Sequence, residues 1–125
     1  MGEWNVDVDE AANRLYIDLN GALGDEGERS TQAVVDGARQ LDPGFDVITD
    51  IRGYRPSGNE ETLARGKRAM RENGCSAAVR VMPESTTASM HFERVGGEEE
   101  AYPVAEAGSV EEAERLLDER RQQEA

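Results

Sequence analysis

Two short segments near the N-terminus alternate between apolar and polar residues. Residues 4–8 and 15–19 each place an apolar side chain at every second position. A period of two is typical of strands with one buried face. The polar segment 9–13 is short enough to be a turn, and Asn20-Gly21 ends the second run with a dipeptide common in turns. The pattern predicts an N-terminal antiparallel hairpin.

Helical periodicity follows the hairpin. Val34, Ala38 and Leu41 fall on one stripe of a helix that Asp42-Pro43-Gly44 ends, because proline cannot continue the hydrogen-bond ladder. A second helix has Leu63, Gly66 and Met70 on one side. It begins after a Ser57-x-x-Glu60 capping box and ends at Asn73-Gly74, where glycine takes a positive φ. A third begins at a Ser109-x-x-Glu112 box, with apolar residues at helical spacing through Leu117.

The remaining apolar segments predict strands. Residues 45–51 and 76–82 are short and rich in β-branched or small residues, which suits interior strands. Residues 89–95 alternate and predict another strand, and residues 101–104 a short edge segment. Because strands alternate with helices, we expect an α/β fold. We expect a mixed, partly parallel sheet that includes the N-terminal hairpin, with about three helices packed on it.

The chain length of 125 residues fits one domain. We place that domain at residues 1–117, followed by a polar tail, residues 118–125, that is expected to fray. No apolar stretch approaches the ~20 residues that a membrane span requires. The first residues lack the basic and apolar segments of a secretory signal. These features predict a cytoplasmic protein without a membrane span.

The charge is strongly acidic, with 27 acidic and 14 basic residues and a net charge of −13. All the basic residues except Lys67 are arginine. A dense carboxylate surface with few lysines keeps a protein hydrated and soluble at high salt, which indicates a halophile cytoplasm. Attraction to a basic partner is the competing explanation. Either way we expect no nucleic acid partner, because DNA phosphates would meet like charge.

Few residues point to catalysis. His91 alternates outward between Met90 and Phe92, and Cys75 is the only cysteine. We interpret both as structural, together with the solvated run Glu98-Glu99-Glu100. No common catalytic or phosphate-binding motif occurs, so we expect no enzyme activity, cofactor or metal. An enzymatic function remains an alternative if carboxylates converge around Asp50 and His91. Asp50 shares one face of its strand with Asp46.

One segment reverses the acidic charge. Residues 52–71 hold six basic residues against two acidic ones. Arg65 and Arg68 face water on the second helix, and Arg52 and Arg55 lie on a predicted loop at 52–58. Surface pairs at i,i+4 spacing with Glu61 and Glu72 are expected for the helical arginines. The segment predicts a surface that binds a protein partner through these four arginines.

The order of these segments resembles the STAS superfamily, most closely its SpoIIAA-like branch. The resemblance rests on residues 15–21, residues 45–53, the helix ending at Asn73-Gly74, and residues 109–117, and so covers nearly the whole chain. It implies a non-enzymatic regulatory or ligand-binding module. In that family a serine before the second helix accepts phosphate, and Ser57 stands at the corresponding place. The aspartate and doubled serine of the family's loop are absent here.

Some relatives of that superfamily are associated with lipids or other apolar ligands. The resemblance therefore implies an alternative, a domain that binds a small apolar ligand. Small residues on the helices and strands could then open an internal pocket, although close helix–sheet packing explains them equally: Gly66, Ala69, Ala77 and Ala78. The sequence leaves open the identity of the partner or ligand and the oligomeric state.

Overall fold

The computed structural model describes residues 2–55, 60–82 and 102–124, and within them the sheet follows chain order. The five strands lie side by side as β1 (Glu3–Asp9), β2 (Arg14–Ala22), β3 (Asp46–Arg55), β4 (Ala77–Val81) and β5 (Val104–Ala107). β1 and β2 form an antiparallel hairpin, and every other neighbouring pair is parallel. The helices are α1 (Glu26–Gln40), α2 (Glu60–Glu72) and a third, here α3 (Val110–Glu124). The predicted α/β class, with its hairpin and mixed sheet, is confirmed.

α1 and α2 pack on one face of the sheet, called here the α1–α2 face. Its core joins Leu15, Val47 and Ile51 from the strands to Val34 of α1 and Met70 of α2. All five side chains are buried, so their apolar surface is removed from water, which is the main favourable contribution to folding. The stripe predicted for α1 is therefore the face that docks on the sheet.

α3 covers the opposite face, called here the α3 face. Ala113 and Leu117 of α3 pack against Ile48, Val79 and Val81 of β3 and β4. Counting only residues that the structure describes, this second core is smaller than the first. No helix in the described part of the chain is both long enough and apolar enough to cross a membrane.

Local hydrogen bonds set the ends of the helices. Gly74 has φ of 92°, and its N–H donates to the carbonyl of Arg71 at 3.1 Å, so α2 stops where the sequence predicts. At α3 the N–H of Glu112 donates to Ser109 Oγ at 3.1 Å, while the Glu112 carboxylate accepts from the N–H of Gly108. The predicted cap by Ser109 is confirmed, while the return bond of the box reaches Gly108, one residue before the cap, and not Ser109 itself. Ser57 of the first box lies outside the described residues.

The last helix continues past the predicted end of the domain at Leu117. α3 runs to Glu124, and residues of the expected frayed tail contact the sheet. Arg121 donates from Nε to Asp46 Oδ2 at 3.0 Å, and Asp118 accepts from Arg14 Nη2 at 3.0 Å. The helix and its contacts with the sheet therefore continue past Leu117, because these polar side chains pair with buried partners, while fraying of residues 118–125 stays a prediction.

β3 also extends beyond its predicted end at Ile51. Gly53 and Tyr54 pair with Asn20 and Gly21 of β2, after a register shift between Asp18 and Asn20. Residues 52–55 are therefore strand and not loop, because β2 offers them a continuing ladder of hydrogen bonds. The strand predicted at 89–95 lies outside the described residues, and the expected edge segment begins at Val104 as β5.

Candidate functional site

The four arginines that the sequence assigns to one surface occupy different sides of the molecule. Arg52 and Arg55 belong to the end of β3, where both are exposed. Arg65 and Arg68 lie on α2, which covers the α1–α2 face. Asp50, the partner of Arg52, lies with Val110 of α3 in a cleft on the opposite face. The structure therefore does not bring Arg52 and Arg65 together.

Arg52 is already paired within its own strand. Its Nε lies 3.0 Å from Asp50 Oδ1 and its Nη2 lies 2.7 Å from Asp50 Oδ2, so both carboxylate oxygens are engaged. Burial raises the pKa of Asp50, but hydrogen bonds from the side chain and backbone of Arg52 outweigh it, and the net shift is downward. Most of the positive charge of Arg52 is thus offset before any partner arrives.

Arg65 reaches across to α1. Its Nη1 donates to Glu28 Oε1 at 3.0 Å, an interhelical contact in place of the predicted pair with Glu61. Its Nε and Nη2 have no hydrogen-bond partner and are almost completely shielded from solvent, while its side chain as a whole is 40% exposed. An unpaired, shielded N–H group is costly, and such groups are uncommon in folded proteins. Two of the four predicted arginines have described partners, Arg52 and Arg65. Of these two, Arg65 is the one whose guanidinium keeps N–H groups without a hydrogen bond.

A groove between α1 and α2 surrounds Arg65. Its volume is about 330 Å³. Three arginines and one glutamate line it with one amide and two apolar side chains: Arg39, Arg65, Arg68, Glu72, Gln32, Val35 and Ala69. We call it the arginine groove. Arg39, at the end of α1, is a groove residue that the sequence did not single out.

Lys67, another cation of the 52–71 segment, does not face water. It is 2% exposed and lines a cavity of about 50 Å³ between the two helices and the sheet, beside Gly66 and Leu63. An apolar cavity that binds benzene has a volume of ~150 Å³, so a space of about 50 Å³ is too small for a lipid-like ligand. The small residues of the apolar-ligand alternative are also dispersed, since Ala69 lines the arginine groove and Ala77 packs on the α3 face.

A second cleft lies on the α3 face near the start of α3. Asn5, Asp7, Asp18 and Asp50 line it beside Val110, with a volume of about 180 Å³. Burial and the neighbouring charge of Asp50 raise the pKa of Asp18. No group of three or more metal-ligating side chains is gathered among the described residues, this cleft included. The prediction that Asp46 and Asp50 lie on one face of their strand is confirmed. Both carboxylates pair with arginines on the α3 face.

Ser57, His91 and Glu98-Glu99-Glu100 all lie outside the described residues. A phosphate-accepting role for Ser57, the outward position of His91 and a solvated acidic run therefore stay predictions. Cys75 is partly buried, and its thiol donates to the carbonyl of Ala77 at 3.3 Å.

The arginine groove is the site with the most distinctive chemistry in the described part of the chain. It combines an incompletely paired guanidinium, two further arginines and a concave shape on an acidic protein. The chain was compared with protein families and with curated proteins. No family model matches it, and no curated protein shows significant similarity to it.

Proposed function

We propose that this chain is a non-enzymatic regulatory module of the STAS, SpoIIAA-like type that binds a protein partner through the arginine groove. The observation that carries the proposal is Arg65, whose Nε and Nη2 make no hydrogen bond although the rest of its guanidinium is held by Glu28. The α/β fold with its N-terminal hairpin supports the family resemblance.

The charge distribution supports the choice of surface. The chain carries −13 overall, whereas the groove gathers Arg39, Arg65 and Arg68 against Glu72. A local patch of opposite sign selects and orients a partner, because it attracts only the complementary part of that partner while the acidic remainder repels wrong poses. Arg52 and Arg55 are left out of this surface. Arg52 is matched by Asp50 on the other face, and Arg55 lies at the far end of β3.

We further propose that the module works in a salt-rich cytoplasm. Its excess of carboxylates and its single lysine support this setting, since carboxylates hold water well when salt screens ordinary charge repulsion. At such salt, steering over distance is weak, so the partner must be recognised by direct contact inside the groove.

Capture from a native lysate tests the proposed surface. The immobilised chain is compared with a variant carrying Arg65→Glu and Arg68→Glu, and bound proteins are identified by mass spectrometry. A control with the same change of charge carries Arg29→Glu and Arg115→Glu, two exposed arginines paired with Glu26 and Glu119 on their own helices. We expect the groove variant to lose a protein that the control retains. The same proteins on all three chains would remove the groove from the proposed function.

A further inference from the structure

Two arginines of this chain show how its guanidinium groups bind carboxylates. Arg14 directs Nε and Nη2 at the two oxygens of Asp46, at 2.7 and 3.2 Å. Arg52 directs the same two nitrogens at the two oxygens of Asp50, at 3.0 and 2.7 Å. The parallel N–H bonds of this edge match the spacing of a carboxylate, and such bidentate pairs are strong and directional.

Arg65 has the same edge, and it is empty. Glu28 takes only Nη1, on the other side of the guanidinium, so the Nε and Nη2 pair is left without an acceptor. Solvent does not supply one either, because both nitrogens are shielded from it. Because both nitrogens are shielded, this edge meets a ligand only after the Arg65 side chain turns about its last torsions toward the groove, and its 40% exposure leaves room for that turn.

We propose that the empty edge of Arg65 receives the carboxylate of one glutamate or aspartate from an acidic segment of the protein partner. This inference rests on the proposed function and names the chemistry that the groove recognises. Val35 and Ala69 offer apolar surface to the methylene groups of such a side chain, and Arg39 and Arg68 add positive charge around it. The volume of about 330 Å³ has room for one or two side chains.

The surrounding charges favour a carboxylate over a phosphate. Glu28 already occupies one side of the Arg65 guanidinium, and Glu72 lines the groove. With Glu28 counted, three arginines face two glutamates, a net charge of +1 that one carboxylate balances and that the nearly two negative charges of a phosphoryl group at neutral pH exceed. The site therefore fits an unmodified acidic side chain.

Nuclear magnetic resonance of the arginine side chains tests this directly. The ¹⁵N-labelled chain at fixed KCl is titrated with a glycine–glutamate–glycine peptide whose two ends are blocked. The Nε–H signal of Arg65 is assigned by its loss in Arg65→Lys. We expect this signal to move downfield and saturate, because its proton enters a charge-assisted hydrogen bond. Arg65→Lys should weaken the affinity for the peptide by about tenfold, since an ammonium group cannot form the bidentate pair. The affinity of this variant is measured from the shifts of its backbone amide signals.

The controls separate this inference from the proposed function. The same peptide with glutamine should leave the signal in place, and Arg115→Lys, on α3, should leave the affinity unchanged. An Arg65 signal that does not move, that moves equally with glutamine, or that responds more strongly to a phosphoserine peptide overturns the carboxylate assignment. Each of these results leaves the lysate comparison intact, so a partner could still bind the groove by other contacts.

Discussion

Arg14 and Asp46, the first residues of two adjacent parallel strands, form a buried bidentate ion pair with Arg14 Nε 2.7 Å from Asp46 Oδ1. Asp46 also accepts from Arg121 of α3, and Arg14 also donates to Asp118. Burial lowers the pKa of Arg14, but its hydrogen bonds to Asp46 and Asp118 outweigh that effect and raise it. Arg14 therefore stays charged, and the four side chains fasten α3 to the sheet.

Removing the carboxylate of Asp46 should be costly. Asp46→Asn leaves Arg14 buried without its main counter-ion and removes the negative charge that Arg121 contacts, although Arg121 keeps its bond to the Asn13 carbonyl. Breaking a buried pair from one side costs about 3–5 kcal/mol of unfolding free energy. Urea denaturation followed by circular dichroism measures the loss. Asp118→Asn is the matched control, because its side chain is 61% exposed and an exposed pair contributes less than about 1 kcal/mol. Equal losses for both variants would show that burial does not decide the strength of this cluster.

Two helical glycines should respond to alanine in opposite ways. A β-carbon at Gly66 meets only Thr31 Cγ2, at 3.9 Å, so Gly66→Ala gains helix propensity without a clash and should add about 0.5–1 kcal/mol of stability. At Gly37 it would lie 2.9 Å from Leu15 Cδ1, a fully buried side chain. Gly37→Ala should therefore destabilise the chain by about 1 kcal/mol or more. Thermal unfolding of the two variants side by side checks this, and a Gly37→Ala chain as stable as Gly66→Ala would contradict the close packing of α1 on the hairpin.

Asp18 should destabilise the fold at neutral pH. Burial and the charge of Asp50 raise its pKa above the ordinary value of 3.8, so its ionised form is less favourable in the folded chain than in the unfolded one. The cost is complete above the raised pKa and disappears below 3.8, where both states are protonated. Asp18→Asn should raise the thermal midpoint at pH 7, and the gain should vanish near pH ~3.

Asp50, the cross-strand neighbour of Asp18, should show the reverse sign. Its pKa is lowered, because hydrogen bonds from Arg52 outweigh the effect of burial, so its charge stabilises the fold. That stability is present above 3.8 and is lost as the pH falls through the lowered pKa. Asp50→Asn should therefore lower the midpoint at pH 7. Shifts of the same sign in Asp18→Asn and Asp50→Asn would contradict the opposed environments of these neighbours.

Salt should stabilise the whole chain. With a net charge of −13, self-repulsion in dilute buffer opposes the compact state, and salt screens it with a Debye length of ~3 Å at 1 M. The thermal midpoint should rise steeply from low salt to molar KCl. Screening alone levels off near a few tenths molar, so a continued rise points to exclusion of ions from the surface or to specific hydration of its carboxylates. A flat or falling midpoint would mean that the acidic surface serves a partner and not a salty cytoplasm.

The sequence predicted those features that depend on local patterns. Period-two alternation identified the hairpin, and the stripe through Val34 and Ala38 identified the buried side of α1. Gly74 marked the end of α2, because few other residues accept its positive φ. Strand ends were less predictable, since β3 continues past Gly53 only because β2 lies beside it.

The candidate site depends on tertiary contacts, which explains what the sequence missed. Arg39 and Arg65 share a groove because α1 packs beside α2, and no spacing along the chain indicates that contact. Lys67 was counted with the surface charges, although it lies four positions after Leu63, on the apolar side of α2. That helical spacing was a sign that Lys67 is buried.

Strand order in this sheet equals chain order, which has a consequence for synthesis on the ribosome. Each new strand can join an edge that earlier residues have already formed, so the sheet can grow one strand at a time as the chain emerges. Asp46 follows its partner Arg14 by 32 residues, so this pair can form early. Its other partner, Arg121, is synthesised 75 residues after Asp46. Docking of α3 therefore follows the pairing of β2 with β3, and until it occurs Ala113 and Leu117 do not cover Ile48, Val79 and Val81 of β3 and β4.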